Sequence, residues 1–195
     1  MDFKSSQTMK NLMKAFAGES AARNRYTFAA GEAKKQKQPL LAHLFEFTAN
    51  QEKEHAELFY QKLSELTGEN IEFDAGLPVN ISSDLAELLQ YAQHNENEEH
   101  DVVYKEFSEV AKSEGFSEIS ALFANIAKIE KTHAERFGRF YQMLKEGKLH
   151  SSDSTENWVC TNCGYVVSSS SAPAKCPVCS HDIGYFIRDN FKPYC

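Results

Sequence analysis

The chain has 195 residues, is 42% apolar and 25% charged, and carries a formal charge of -7 with a pI near 5.5. This composition allows one or two globular domains and excludes collagen-like, low-complexity and wholly disordered chains. The acidic balance offers no broad positive field to nucleic acid or an anionic membrane surface, no apolar run approaches the roughly 20 residues that span a bilayer, and the start Met1-Asp2-Phe3-Lys4 lacks the apolar core of a secretory signal. A soluble cytoplasmic protein without nucleic-acid or membrane partners is therefore expected.

From about Thr8 to Gly147 the sequence is a long helical pattern rich in Ala, Leu, Glu, Lys and Phe. A first helix is predicted over about 7–37, with Leu12, Phe16, Tyr26 and Phe28 as its larger buried side chains. Pro39 suits the first turn of a second helix, which Gly68 closes. The stretch 69–82 contains Gly76 and Pro78 and is too long for a tight hairpin, so it has to travel some distance. Asp84 with Glu87 reads as a capping box for a third helix ending before Gly115, and Ser117 as the cap of a fourth that stops at Gly147. Four helices of about 25–30 residues, each roughly 40 Å long, predict an all-α four-helix bundle over 1–147. A polar, serine-rich linker follows over 148–157, and a small aromatic, cysteine-bearing domain over 158–195.

Helical phase places charge where apolar side chains belong. Glu52 and His55 share a face with Phe45 and Phe59, and Glu130 and His133 stand in the same relation to Phe123, Ile126 and Phe137. Glu19 falls on the side of Phe16 and Tyr26, and Glu96 and Glu99 on that of Leu88, Leu89 and Tyr104. The spacing repeats: Glu96 follows Glu19 by 77 residues and Glu130 follows Glu52 by 78. Two duplicated helix pairs, each with a single Glu and an E-x-x-H, would bring four carboxylates and two imidazoles to one level, the ligand set of a carboxylate-bridged dinuclear site. Without metal, such a cluster would have to protonate or repel; five glutamates against two divalent ions nearly balance. Oxygen donors with one imidazole per ion suit iron or manganese.

Glu99 breaks the repeat, because Ala22 stands where its counterpart would be. A surplus carboxylate favours a more highly charged ion, so His55 and Glu99 are expected to exchange as ligands on oxidation and reduction; a solvated Glu99 is the alternative. Tyr26 and Tyr104, seven and eight residues after Glu19 and Glu96, are near enough in phase to hydrogen-bond the ligand carboxylates, or else pack the core. His43, His94, His100 and His150 lack any paired arrangement and are read as surface or polar helix positions.

Cys160-x-x-Cys163 and Cys176-x-x-Cys179 can surround one ion tetrahedrally, and a unit of about 40 residues needs such a clamp. The spacing serves zinc and iron alike; only iron passes an electron. Trp158, Tyr165, Tyr185 and Phe186 are candidates to shield the thiolates, and Cys195 is expected to be a free thiol.

Over essentially its whole length the chain resembles the rubrerythrins, through Gly18-Glu19-Ser20 with Ala22, Arg23 and Tyr26, Glu52-Lys53-Glu54-His55, Glu96-Asn97-Glu98-Glu99-His100, Glu114-Gly115-Phe116, the segment from Ile126 to His133, and the rubredoxin-like C-x-x-C-G-Y and C-P-x-C. The resemblance implies a ferritin-like di-iron bundle joined to a rubredoxin-like domain. It implies a peroxidase that reduces hydrogen peroxide and protects against oxidative stress. The di-iron ligands would be Glu19, Glu52, Glu96, Glu99, Glu130, His55 and His133; Cys160, Cys163, Cys176 and Cys179 would hold a third iron. Catalysis would involve Glu99, His55, Tyr26 and Tyr104. It also implies a homodimer in which the small domain serves the other subunit's di-iron site. Electrons would come from an external NAD(P)H-linked reductase or a rubredoxin-type donor, since the chain has no G-x-G-x-x-G of its own. An iron store of ferritin type and a zinc-ribbon interaction protein remain as rival readings. One departure is Ser180, where rubredoxin-like knuckles usually have a glycine that permits a left-handed backbone.

Overall fold

The computed structural model describes residues 2–191; Cys195, read as a free thiol, lies outside them. Helices α1 (Gln7–Lys35) and α2 (Pro39–Gln61) form one hairpin, with Pro39 at the first turn of α2 as expected. The second hairpin pairs α5 (Ser117–Lys145) with a composite helix made of α3 (Leu85–Glu98), a π-helical segment over Glu99–Val103, and α4 (Tyr104–Ser113). The stretch 69–82 joins the two hairpins without regular structure.

Several local expectations change. Helix α2 stops at Gln61 rather than Gly68, and a 3₁₀ turn over Ser64–Leu66 fills the interval. Ser117 is the first residue of α5, Phe116 occupies the cap position, and no side chain caps that end. Asp84 does accept from Ala86 N at 2.7 Å, but Glu87 turns to Ser82 Oγ, which takes the Asp84 N–H at 2.9 Å, so a serine two residues upstream replaces half of the predicted box. At the start of α1, Ser6 Oγ accepts from Met9 N at 3.0 Å. Glu114 accepts from Gln7 N at 2.9 Å and Thr8 N at 2.8 Å, tying the end of α4 to the orphan N–H groups of α1.

The bundle has two apolar layers. In one, Tyr26 lies 5.0 Å and Phe45 5.5 Å from the Phe137 ring; in the other, Phe59 lies 5.1 Å and Tyr104 6.0 Å from the Phe123 ring. Each member of one trio is related to a member of the other by 78 residues: Tyr26 to Tyr104, Phe45 to Phe123, Phe59 to Phe137. The duplication read from the ligands therefore extends to the aromatic packing, and the two layers are related by a pseudo-twofold. Phe28, expected in the core, is instead 71% exposed, since it falls two residues past the buried Tyr26 and hence on the opposite side of α1.

After the bundle, β1 (Ser151–Cys160) pairs antiparallel with β2 (Val166–Ser171) and with β3 (Phe186–Arg188), in the order β2-β1-β3. The serine-rich stretch read as a linker thus enters β1 at Ser151, where a register shift between Ser151 and Glu156 accommodates it. Trp158, Cys160, Ala172, Cys176 and Phe186 form the small core beneath the sheet, with Tyr165 and Tyr185 against it. Leu149 and Ile187 pack into the bundle's own apolar layer, so the sheet sits against the helices.

Candidate metal centres

Between the two aromatic layers the helices turn polar. Glu19 lies in α1 between Ala15 and Ala22, Glu52 in α2 between Ala49 and Phe59, Glu96 in α3 between Ala92 and Tyr104, and Glu130 in α5 between Ala127 and Phe137; in each case the two neighbours belong to opposite layers. All four carboxylates and His133 are fully buried, and His55 is 5% exposed. Phase alone forces this, because each glutamate occupies the core-facing position of its helix at the level where the layers meet.

The side chains gather into two groups, Glu19, Glu52, His55 and Glu130, and Glu52, Glu96, Glu130 and His133, and in each group the potential ligand atoms all lie within 4.8 Å of one another. Glu52 and Glu130 belong to both. His55 Nδ1 stands 3.0 Å from Glu52 Oε2 and 3.0 Å from Glu130 Oε1; His133 Nδ1 stands 3.0 Å from Glu52 Oε1 and 2.9 Å from Glu130 Oε2. One oxygen of each shared carboxylate therefore faces each imidazole, the geometry of two bridging carboxylates between two ions.

Electrostatics identify the chemistry. Burial pushes Glu19 up to about 8, with the Glu130 charge adding to the shift, and burial and the Glu52 charge hold Glu96 well above the usual carboxylate range. Burial opposes charge on Glu130 and His133 too, but their mutual contacts outweigh it and set Glu130 at about 2 and His133 at about 12; His55 is raised in the same way. The box thus balances its carboxylates with protons on the imidazoles and on the remaining acids. These close charge contacts are not aligned as hydrogen bonds: both oxygens of Glu52 and of Glu130, Oε2 of Glu19 and Nδ1 of His55 are buried without one. Unsatisfied groups of this kind cost several kcal/mol together. Two hard cations answer all of them, so this donor set fits a dinuclear metal.

The two phenols cross between the halves. Tyr26 OH donates to Glu96 Oε1, and Tyr104 OH donates to Glu19 Oε1. Burial and the surrounding carboxylates raise both phenols far above their ordinary value, so they stay protonated and keep a hydrogen to donate to these acids. The spacing of eight from Glu96 to Tyr104, against seven from Glu19 to Tyr26, is absorbed by the extra residue of the π segment. Glu99 opens that segment, is half-buried, and belongs to neither four-residue group. Of the pair expected to alternate, His55 belongs to one group and Glu99 to neither, although burial and the charges of Glu19, Glu96, Glu130 and Glu52 hold the Glu99 carboxyl well above the usual range.

His43 and His94 are exposed, as expected. His100 is half-buried and its Nδ1 meets Ala127 O at 2.8 Å. His150, expected at a surface or polar helix position, is half-buried just before β1, where burial, partly offset by the Phe186 backbone, lowers it to about 4. A buried polar residue that sequence reading passed over is Asn95, whose Nδ2 donates to Asn80 Oδ1 at 2.8 Å; its phase with Leu88 and Ala92 was the available signal.

In the small unit Cys160 Sγ lies 3.7 Å from Cys179 Sγ and Cys163 Sγ 3.6 Å from Cys176 Sγ, with all four sulfurs within 4.8 Å. Metal–sulfur bonds of about 2.3 Å in a tetrahedron require sulfur–sulfur edges of roughly 3.8 Å, so the cage fits one ion. The two knuckles repeat each other: Gly164 N donates to Cys160 O at 2.8 Å and Ser180 N to Cys176 O at 2.9 Å. Both residues have positive φ, 78° and 62°, so the serine does take the left-handed turn that glycine usually supplies. The backbone N–H of His181 hydrogen-bonds Cys179, which is lowered to about 6.

Comparison with known proteins agrees with this geometry. The chain matches the model of the rubrerythrin family over residues 10–81 and 87–166, and that of the rubrerythrin rubredoxin-like domain over 158–187. It is 41% identical to rubrerythrin from Clostridium perfringens (strain 13 / Type A), covering 94% of each chain, and 44% identical to rubrerythrin from Porphyromonas gingivalis (strain ATCC BAA-308 / W83), covering 94% of this chain and 90% of that one. Nigerythrin in a mixed-valent state superposes with a TM-score of 0.63 at 27% identity, over 94% of this chain and 90% of that one. On its sequence, its paired carboxylate–imidazole groups and its four-cysteine cage, the chain belongs to the rubrerythrin family.

Proposed function

We propose that the protein reduces hydrogen peroxide to water and so protects the cell against oxidative stress, with two irons in the bundle and one among the cysteines. When bound, the paired irons supply the two electrons that peroxide takes up, and the cysteine-held iron returns them one at a time. The observation that carries this reading is the sharing of Glu52 and Glu130 by both ligand groups, which sets two metals side by side. Peroxide reduction consumes two electrons and two protons for each O–O bond broken, and two adjacent one-electron ions meet the electron demand without releasing a radical.

In this reading Glu19, Glu52, His55 and Glu130 hold one iron and Glu52, Glu96, Glu130 and His133 the other. Glu99 is the reserve ligand, poised to exchange with His55. Tyr26 and Tyr104 hold the terminal carboxylates Glu96 and Glu19 in orientation by donating to them. Cys160, Cys163, Cys176 and Cys179 hold the third iron, with Trp158 and Phe186, both fully buried, excluding water from one side. We divide the chain into a di-iron bundle over 1–147, a rubredoxin-like unit over 158–195, and a connection over 148–157 that becomes the start of β1. Among the described residues no helix is long and apolar enough to cross a membrane. A cytoplasmic homodimer, fed by an NAD(P)H-linked reductase or a rubredoxin-type donor, completes the proposal.

The test is Glu130→Ala. Loss of a bridging carboxylate is expected to reduce bundle iron from two to at most one per chain and to abolish peroxide turnover, while the visible colour of the iron–thiolate centre persists. Retention of both irons and full turnover would falsify the assignment.

A further inference from the structure

Beside the ligand box, between α1 and the composite helix of α3 and α4, lies a cavity of about 290 Å³ that shares Tyr104 and Glu99 with the surroundings of the box. It is lined by Glu99, by Tyr104, the phenol that donates to Glu19, by Gly18 of α1 and by the irregular stretch Asp74 to Pro78. At about 30 Å³ per water-sized molecule, the space holds several small oxidant or solvent molecules.

Gly18 is the informative residue. It sits inside α1, where glycine costs about 1 kcal/mol relative to alanine. Neither ordinary reason for a glycine applies: its φ is not positive, and a Cβ built there meets nothing within 4 Å. A side chain would instead extend into the cavity beside Glu99. The opposite wall is held in place, since Asn95, buried in α3, donates to Asn80 just past the strap at 2.8 Å.

We propose that this cavity is the route by which peroxide reaches the metal box, and that Gly18 is a specificity-determining residue that sets its width. The inference rests on the peroxidase reading. It makes Gly18 a residue acting on passage and not on ligand geometry, so a side chain there slows arrival and departure alike and leaves the equilibrium at the metals unchanged.

The test uses the iron-loaded full chain, with nitric oxide as a neutral diatomic probe of the reduced di-iron centre alongside peroxide turnover. Gly18→Leu is expected to slow nitric oxide association and dissociation together by about tenfold, with its Kd unchanged, and to lower kcat/KM for peroxide by a similar factor. Gly18→Ala should have a much smaller effect, and Leu77→Ala, which trims the opposite wall, should speed association. Iron content and the thermal midpoint of each variant identify any misfolded protein, and the Leu77 variant keeps the test open if Gly18→Leu does not fold. Unchanged rates in the folded variants, or a changed Kd at an unchanged association rate, overturn the inference while leaving peroxide reduction intact. Absence of peroxide turnover in the unsubstituted protein refutes the functional reading itself, independently of the probe kinetics.

Discussion

In the bundle the ligands come from helices of 29, 23, 14 and 29 residues, and fully packed aromatic layers lie above and below them. In the C-terminal unit the ligands come from two turns, and a single small core of five buried residues supports them. The bundle therefore builds its site first and uses metal to neutralise it; the small unit uses metal to exist. The same contrast appears in the donors, since the bundle buries all four glutamates of its ligand groups whereas Cys163 lies exposed at the edge of its cage. Fixed oxygen donors on rigid helices suit ions that change charge against a substrate. A compact thiolate cage near the surface suits passing single electrons with little rearrangement.

The sharpest way to break this comparison is to remove the metals with a strong chelator under reducing conditions. A tetrathiolate site supplies on the order of 10 kcal/mol of folding free energy, so amide-exchange protection over 158–187 should vanish. Helices α1, α2 and α5 should keep theirs. Simultaneous unfolding of both regions would show that the bundle also depends on its ions. A smaller effect is expected from Tyr104→Phe, which removes the donor to Glu19 but keeps the ring against Phe59 and Phe123. Loss of such an outer partner should weaken bundle metal affinity by about 10–100-fold in a chelator competition, with the cysteine site unaffected. An unchanged affinity would mean that packing alone orients Glu19. The smallest is Ser180→Gly, which relieves a left-handed backbone in the second knuckle. Relief of about 1–2 kcal/mol, offset by the greater freedom of an unfolded glycine, should leave a net gain below about 1 kcal/mol. It would be read as slower metal release from the cage, with bundle stability unchanged.

Much of the site was legible because helical periodicity and duplication are both written in residue order. Glu19, Glu52, Glu96 and Glu130 each sit among apolar neighbours of their own phase, and an offset of 77 or 78 residues picks out the pairs. The π segment was less visible, yet it left a trace: the offset is 77 between Glu19 and Glu96 but 78 between Tyr26 and Tyr104, so one residue is inserted between Glu96 and Tyr104. Phe28 misled because its hydrophobicity argued for the core against its phase. The cap at Ser117 and the end of α2 depended on tertiary alternatives, which local sequence does not encode. The polar stretch before Trp158 read as a linker because strand pairing through backbone groups needs no apolar alternation at a solvated edge.

The crossing of the phenols makes the two hairpins interdependent. Tyr26 steadies an acid of the second hairpin, and Tyr104 an acid of the first, so neither hairpin carries the partner for its own glutamate. A single hairpin of this design would leave a tyrosine hydroxyl and a carboxylate stranded, and only association with a like hairpin would satisfy both. Joining the two hairpins in one chain supplies each with the donor it lacks, and the one residue by which the halves differ in spacing falls at the π segment.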